Sequence, residues 1–411
     1  MVRDKFMKQI NQITTTKTFP QEPAWFTKIR NEEFSKLGDE KLPRIDKINY
    51  QNWPFINQPD PEVTADENVT NEYQITPEME AANVIVCSIE EALLKHESLL
   101  KPVIEKIAAE QSDRLTSLNL ALVTHGTFVY VPKNITLKNP ITIKTRENTV
   151  NNQDVFDRTI VVGDINSNFN VVQNTSSVGN NQINSHLTAN IFAKENSKIQ
   201  FFGMDATASH TNNFINRKAI VGKHATMNWM IGALNNGNTA ADFSTELIGD
   251  GSVSDSRIVA ISNQKQQQGI NTRITNYGLH SDAQIDQRGA ILDKSKVVFN
   301  GIGKVQHGAH QANNQQQNHI LMLSENASGD ANPILLINEN DVVAGHAASI
   351  GRINEKQLYY LMSRGIPEEI AQKLVIRGFL GIILDQIPSS EIKSEMINTI
   401  ERKLEHERTN V

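Results

Sequence analysis

Histidine is the residue type in this chain best suited to metal or acid–base chemistry, and three of the 11 histidines lie close together. His307 and His310 have H-x-x-H spacing, and His319 follows in the same region. Imidazole is a frequent ligand of zinc and iron, but no carboxylate or cysteine lies beside this group in the sequence. Residues three apart on a strand or turn need not converge. The pattern therefore favours ordinary histidines over a metal site.

A fourth histidine, His346, stands in a run of small residues, with Ala344 and Gly345 before it and Ala347 and Ala348 after it. Small neighbours allow another backbone to approach closely, as an interface requires. A lone histidine in such a run is weaker evidence for a metal site than the histidine cluster is. The alternative is that His346 donates a hydrogen bond that closes a turn.

Other chemically reactive patterns are scarce. The single cysteine, Cys87, excludes an intramolecular disulfide and a cysteine metal knuckle. No cation or histidine is local to it, so we predict a buried structural thiol. The sequence contains no Walker A, H-E-x-x-H, C-x-x-C or G-x-S-x-G pattern, so we do not expect this chain to hydrolyse ATP itself.

The elements that must position His346 are mostly short strands. Between Leu120 and Val343 the sequence consists of four- or five-residue runs rich in β-branched and aromatic residues, and no helical period persists. The runs are LALV, FVYV, ITIK, TIVV, FNVV, IQFF, MNWMI, RIVAI and KVVF.

A recurring phrase suggests how these strands are arranged. A turn residue and then Ser or Ala precede alternating apolar positions, at Ser197, Ala225, Ser252, Ala283 and Ser295. The first four are 28, 27 and 31 residues apart, about one solenoid coil. We therefore predict a mainly β protein, with a right-handed parallel β-helix over residues 116–349. The Asn/Gln runs at 263–268 and 313–318 are interpreted as turns or stacked ladders rather than disordered tracts.

Helical regions are predicted on both sides of the β-helix. Residues 1–115 are expected to be mainly helical, with a short strand at 84–87 and an S-x-x-E capping box at Ser88 and Glu91. Residues 350–411 are expected to form a C-terminal helical domain.

The C-terminal domain is predicted to begin with a helical hairpin. Asn354 suits an N-cap with Gln357 as its partner, Gly365 suits a helix stop, and Pro367 suits a new helix start. The apolar residues expected to pack inward are Leu358, Leu361, Ile370, Leu374 and Phe379. The hairpin is expected to cap the solenoid, to present a face to a partner, or to do both.

The C-terminal signature closely resembles that of the SufB/SufD iron–sulfur cluster assembly family, and is more similar to SufD than to SufB. The residues that carry the resemblance are His346, Gly351-Arg352, Tyr360-Leu361, Ser363-Arg364-Gly365-Ile366 and Arg377-Gly378-Phe379. A looser resemblance extends back to about Leu120 and includes Glu22-Pro23-x-Trp25.

The resemblance implies a parallel β-helix and a non-catalytic scaffold that pairs with SufB and docks the SufC ATPase. It implies that His346 lies at the SufB interface and takes part in building a transient iron–sulfur cluster there, with no cofactor bound stably by this chain alone. It also implies SufC docking by the C-terminal helices. The residues we assign to that docking are Arg364, Gly365, Ile366, Pro367, Glu368 and Glu369.

Two positions depart from the family pattern. Several relatives have a cysteine where this chain has Ala344, and others have a glutamate where Leu336 stands. The missing side chains remove potential extra ligands. An intrinsic cluster site on this chain alone is therefore not expected.

Composition narrows the alternatives. The net charge of −6 argues against nucleic-acid or anionic-lipid binding. No apolar run reaches the ~18–20 residues of a membrane span, and the N-terminus has no apolar signal core, so a cytoplasmic protein is expected. A stand-alone homodimeric adaptor and a β-helix carbohydrate-active enzyme remain as alternatives. The enzyme is disfavoured because the sequence shows no signal segment and no clustered Asp, Arg and Lys.

Overall fold

The computed structural model describes residues 19, 21–57, 68–110, 113–385, 387 and 390–405. Two nine-stranded sheets dominate it, and eight strands of each belong to successive parallel coils. Each coil contributes one strand to each sheet. This arrangement confirms the predicted fold class, a parallel β-helix flanked by helical segments. The N-terminal residues on which the expected absence of a signal segment rests lie outside the described ranges.

The strands of the coils alternate between the two sheets. Sheet A contains β4 (Ile141–Asn148), β6 (Asn168–Val178), β8 (Lys198–Ala206), β10 (Thr226–Ala233), β12 (Val253–Ser262), β14 (Asp282–Ile291), β16 (Asn313–Met322) and β18 (Val343–Arg352). Sheet B contains β3 (His125–Val131), β5 (Val155–Gly163), β7 (Ile183–Ala193), β9 (Thr211–Val221), β11 (Thr239–Leu247), β13 (Gln267–Asn276), β15 (Lys296–Val305) and β17 (Ser328–Ile337).

The helices and two additional strands flank these coils. On the N-terminal side are α1 (Ala24–Lys36), β1 (Val69–Tyr73), α2 (Pro77–Ala81), β2 (Ile85–Ser88), α3 (Ile89–Lys95), α4 (Glu97–Glu110) and α5 (Arg114–Leu122). On the C-terminal side are α6 (Glu355–Ser363), α7 (Glu368–Leu384) and α8 (Ser390–Glu405).

The first members of the recurring sequence phrase mark the start of successive strands in sheet A, whereas Ser295 precedes β15 of sheet B. The strands from β8 to β18 start at intervals of 28, 27, 29, 31 and 30 residues. The small residues Ser197, Ala225 and Ser252 directly precede β8, β10 and β12 and are fully buried. The fourth member was misassigned. Ser281, which precedes β14, occupies the position that the sequence analysis gave to Ala283.

The N-terminal end of the solenoid is sealed. β2 pairs antiparallel with β3, and β1 pairs antiparallel with β4, so each sheet ends on a strand that runs against the coils. Met79 of α2 and Val86 of β2 join the apolar lumen beneath them. Ser88 caps α3 by accepting a hydrogen bond from the Glu91 backbone N–H, as predicted. The LALV run at 120–123 was wrongly predicted as a strand, because most of it forms the end of α5.

The C-terminal helices lie along the outer face of sheet A and do not cap the last coil. Leu380 and Ile383 of α7, with Met396 and Ile400 of α8, pack against apolar side chains from β6 to β16. Asn354 caps α6 by accepting from the Lys356 and Gln357 backbone N–H groups, as predicted. The described helices include none long and apolar enough to cross a membrane.

The predicted inward face of the helical hairpin is only partly correct. Phe379 packs against the apolar cluster on sheet A, but Ile370 and Leu374 are 45% and 44% exposed. No residue of α6 is buried. The buried residues of α7 include Ala371, Ile376 and Leu380. The buried side of this helix is therefore next to the side that was predicted.

A buried lysine of the last helix forms hydrogen bonds with the middle of the solenoid. The Lys403 ammonium in α8 donates hydrogen bonds to the backbone carbonyls of Leu234 and Asn235 and to Gln266 Oε1. Burial lowers the pKa of Lys403 to about 7. The attachment therefore places α8 beside the central coils and away from the last coil.

Candidate partner interface at the open end of the solenoid

The last coil, formed by β17 and β18, has an uncovered edge in both sheets. β17 ends sheet B and β18 ends sheet A, and no described strand pairs with their outer edges. Apolar side chains are exposed on this coil, with Val343 at 63%, Leu336 at 47% and Ile350 at 43%. We call this surface the open end. Unpaired edges with exposed apolar residues are unusual in an isolated protein and are typical of strand-pairing interfaces.

His346 lies on the open end. It occupies the middle of β18 and pairs in register with Gln316 of β16. Gln316 belongs to the buried, inward-facing row of β16, so His346 continues that row into the last coil. The imidazole is nevertheless exposed, because no described residue forms a further coil above it. The position suits a side chain that meets a partner.

Three buried amides lie in the lumen beneath His346. Asn314, Gln316 and Asn318 are at most 2% exposed and face the lumen from alternate positions of β16. The run at 313–318 is therefore a strand and not a turn. Gln316 Nε2 donates to the Ile334 carbonyl at 2.9 Å, whereas Gln316 Oε1, Asn314 Oδ1 and both polar atoms of Asn318 have no partner among the described residues.

The clustered histidines do not form one group. His307 and His310 lie on the corner before β16, where their Nδ1 atoms approach Glu339 Oε2 and Oε1 at 3.3 and 3.5 Å. Backbone N–H groups of Gly308 and Asn340 hold this carboxylate and lower the pKa of Glu339 below its usual range. Glu339 could not be identified from the local sequence around these histidines, because the next coil supplies it. The described residues contain no group of three donors arranged for a metal.

His319 lies apart from the other two, on the outer face of sheet A. Its Nδ1 atom is 2.7 Å from Ser349 Oγ on β18. Burial and the nearby Arg288 lower the pKa of His319. Arg288 Nη1 in turn donates to the Phe379 carbonyl at 3.2 Å and so links this face to α7. His319 therefore lies beside Arg288, the residue through which this face is linked to α7.

The hairpin between α6 and α7 is a second exposed surface. Tyr359 and Tyr360 of α6 are 74% and 57% exposed, and Gly365 ends that helix with a φ of +85°, as its predicted stop requires. The residues predicted to dock a partner lie at this turn. Glu368 is exposed, and Glu369 pairs with Lys373 at 3.7 Å.

Cys87 is buried at the sealed end, as predicted. It lies on β2 and pairs with Phe128 of β3. Burial raises the pKa of its thiol to about 12, with the Glu91 carboxylate as a smaller cause. A thiol with such a pKa is almost entirely protonated at neutral pH, so Cys87 is unsuited to nucleophilic or ligand chemistry.

The fold and the open end together define a parallel β-helix protein with one uncovered coil and with helices attached to the outer face of sheet A. Two family models match this chain. Residues 145–379 match the model described as "SUF system FeS cluster assembly, SufBD core domain", and residues 63–143 match "SufBD protein N-terminal region". The chain belongs to the SufBD family of iron–sulfur cluster assembly proteins.

Curated relatives support this assignment. The chain is 34% identical over 417 aligned positions to the iron–sulfur cluster assembly protein SufD of Bacillus subtilis, covering 93% of this chain and 95% of that protein. It is 25% identical to an iron–sulfur cluster assembly SufBD family protein of Staphylococcus saprophyticus, covering 81% of this chain and 71% of that protein. The resemblance to the SufB/SufD family stated from the sequence is confirmed, and a SufD is among the relatives.

Proposed function

We propose that this protein is a non-catalytic scaffold subunit that pairs with a SufB subunit through its open end and docks a SufC ATPase through its C-terminal hairpin. The assembled complex would build iron–sulfur clusters for other proteins. The observation that carries this proposal is the open end itself. Two unpaired strand edges, exposed apolar side chains and His346 all occur on one coil.

The partner at the open end would continue both sheets. Another β-helix of the same family presents strands at the spacing that β17 and β18 require. The amide ladder of sheet B supports this pairing. Asn332 Nδ2 donates to Asn300 Oδ1 at 2.8 Å, and Asn300 Nδ2 donates to Asn271 Oδ1 at 2.9 Å. A partner strand could extend this ladder beyond Asn332.

His346 would contribute to cluster assembly at this interface. A neutral imidazole is a suitable ligand for ferrous iron, and a SufB cysteine would supply thiolate. Ala344 and Leu336 lie on the same coil and offer no ligand atom in their side chains. The cluster is therefore a transient product that needs ligands from both subunits. This chain would hold no cluster stably on its own.

The α6–α7 hairpin would receive SufC. The turn projects from the solenoid, because α6 buries no side chain and α7 leaves Ile370 and Leu374 partly exposed. Movement of SufC driven by ATP would reach the solenoid through α7, which packs on β12 and β14. Arg288 links the same helix to the strands beside His319.

Association at the open end can be tested with two matched isoleucines. Ile350→Asp places a charge on the open end, whereas Ile248→Asp changes an equally exposed residue at a corner of a middle coil. We expect Ile350→Asp to weaken the affinity for SufB by roughly tenfold or more, and Ile248→Asp to change it less than twofold. Affinities would be measured by biolayer interferometry with purified SufB.

Light scattering on the isolated chain and on its mixture with SufB and SufC identifies the partner. A complex that contains all three proteins supports the proposal. A homodimer that excludes SufB, and that Ile350→Asp dissociates, would instead support the stand-alone adaptor. Equal SufB affinity for both isoleucine variants would show that the partner binds elsewhere.

Docking of SufC can be tested at the hairpin turn. Glu368→Lys with Glu369→Lys should reduce SufC capture, because both carboxylates lie in the exposed first turn of α7. Glu391→Lys reverses a first-turn carboxylate of α8 and serves as a control. Unchanged SufC capture by the double variant, with a native circular dichroism spectrum, would place the docking surface elsewhere.

A further inference from the structure

We propose that Arg288, His319 and Ser349 are positioning residues that connect α7 to β18, so that a partner bound at the α6–α7 hairpin orders the edge strand of the open end. This inference rests on the proposed function, since it concerns the two surfaces at which SufC and SufB would bind. The connection between the two surfaces would run along the outer face of sheet A.

The three side chains form one row across neighbouring coils. Arg288 of β14 pairs in register with His319 of β16, and His319 pairs with Ser349 of β18. Paired residues on neighbouring parallel strands point to the same face and are separated by about 4.8 Å. The preceding position of the row, on β12, is Val259, which belongs to the apolar cluster that packs against α7 and α8. The row therefore leads from the helices to the last strand of sheet A.

Arg288 is held by α7. Its Nη1 atom donates a hydrogen bond to the Phe379 carbonyl at 3.2 Å, and its guanidinium lies 5.5 Å from the centroid of the Phe379 ring. Arg288 is 7% exposed, and Asp286 Oδ1 on the same strand lies 3.3 Å from its Nε atom. Because the acceptor is a backbone carbonyl of the helix, a shift of α7 along the sheet would move it away from Arg288.

His319 connects Arg288 to the last coil. Its Nδ1 atom is 2.7 Å from Ser349 Oγ, which is within hydrogen-bond range. Burial is the main cause that lowers the pKa of His319, and the charge of Arg288 is the second. The guanidinium thus acts on the imidazole across the pair of strands, and the imidazole in turn holds a side chain of β18.

β18 is a strand whose order such a contact can change. It ends sheet A, so β16 is the described strand that pairs with it. Nine of its ten residues are exposed. Elements with few buried contacts open at a low free-energy cost. His346 lies on the same strand, and a strand that is already ordered loses less conformational entropy when SufB binds. SufC and SufB would therefore bind cooperatively, although their sites are on different parts of the chain.

The first measurement is hydrogen exchange of residues 343–352, followed by mass spectrometry on the isolated chain with and without SufC. Arg288→Met keeps much of the length of the side chain and removes the guanidinium, and Ser349→Ala removes the hydroxyl at the other end of the row. Arg257→Met is the matched control, because Arg257 lies on the same face and pairs with Asp255 of its own strand. Ser349→Thr keeps the hydroxyl and is the rescue variant.

We expect SufC to slow the exchange of β18 by roughly fivefold in the wild type, Arg257→Met and Ser349→Thr, about the effect of one hydrogen bond. In Arg288→Met and Ser349→Ala the effect of SufC should be less than about twofold. The double variant should show no further loss, because both substitutions interrupt the same row. If Arg288→Met fails to fold or to bind SufC, the exposed Ser349 still provides the test. An unchanged effect of SufC in Ser349→Ala would overturn the inference.

The second measurement is the affinity for SufB with and without saturating SufC. SufC should raise this affinity by roughly fivefold or more in the wild type, the lower end of common coupling factors, and by less than about twofold in Ser349→Ala. Failure of the wild-type chain to bind SufB or SufC would overturn the proposed function. Binding of both partners with no effect of SufC, or with an equal effect in Ser349→Ala, would leave the proposed function intact and exclude the row as the connection.

Discussion

The two ends of this solenoid are built in opposite ways. At the sealed end, β1 and β2 run antiparallel to the first coil, and Met79 and Val86 close the apolar lumen. At the open end, β17 and β18 terminate the sheets with exposed apolar side chains, and the described helices lie beside the coils instead of over them. The hydrophobic core is therefore complete at the sealed end and incomplete at the open end.

The difference between the two ends indicates that one end determines the stability of the chain and the other determines its association with a partner. A parallel coil cannot satisfy its outer backbone groups by itself, so each end requires a cover. The chain supplies the cover at the sealed end from its own N-terminal region. At the open end we propose that a partner subunit supplies it. Variants at the sealed end should therefore affect folding, and variants at the open end should affect assembly.

The largest expected effect tests this separation with the same substitution at both ends. Val86→Asp puts a carboxylate into the lumen beside Met79, at a residue only 3% exposed, and should destabilise the protein by roughly 3–5 kcal/mol. Val343→Asp changes an exposed residue of the last coil and should alter the stability of the isolated chain by less than about 0.5 kcal/mol. Chemical denaturation measures both. Similar losses from the two substitutions would show that the open end contributes to the core of the isolated chain.

The next effect concerns ionisation inside the sealed half of the lumen. Glu147 on β4 is fully buried, and burial raises its pKa to about 8, although Ser185 donates a hydrogen bond to it. The folded-state pKa lies above the ordinary value of 4.5, so the neutral form of the Glu147 carboxyl group favours the folded state. Its contribution to the free energy of unfolding is fully present below pH 4.5 and is lost as the pH rises through 8. Glu147→Gln cannot ionise, and we therefore expect it to be clearly more stable than the wild type at pH 9.

The Glu147 prediction is checked by denaturation at several pH values. The stabilities of Glu147→Gln and the wild type should converge near pH 4 and separate as the pH increases. Parallel stability profiles from pH 4 to 9 would contradict the assignment of a neutral carboxyl group. The buried amides in the lumen of the open half, Asn314, Gln316 and Asn318, do not ionise, so these three side chains should not add to this pH dependence.

The smallest expected effect concerns the asparagine ladder of sheet B. It compares the loss of Asn300, in the middle of the ladder, with the loss of Asn332, on the last coil. Asn300→Ala removes two amide hydrogen bonds, one to Asn271 and one from Asn332, and should cost roughly 1–2 kcal/mol. Asn332→Ala removes only the last bond of the ladder and should cost about 0.5 kcal/mol. Urea denaturation of the isolated chain tests the order. In the complex with SufB, the cost of Asn332→Ala should increase if a partner strand extends the ladder, and an unchanged cost would argue against that extension.

Much of the local structure could be predicted from short stretches of sequence. The caps at Ser88 and Asn354 and the helix stop at Gly365 act within a few residues, so their side chains and backbone preferences suffice. The interval between strands also appeared in the sequence, because each coil needs a small residue at the same turn. The errors occurred where local patterns were ambiguous. LALV suits a helix as well as a strand, and Ala283 resembles the nearby Ser281 that occupies the turn.

Only the tertiary structure decided which distant residues meet. Glu339 joins His307 and His310, and Gln316 lies under His346, because one coil of about 30 residues returns the chain to the adjacent layer. The sequence specified an apolar stripe on α7, but the packing of α7 on sheet A determined that Ile370 and Leu374 remain exposed. The identities of the side chains are local properties. Their neighbours depend on the register between coils, which the whole solenoid establishes through backbone pairing and a shared core.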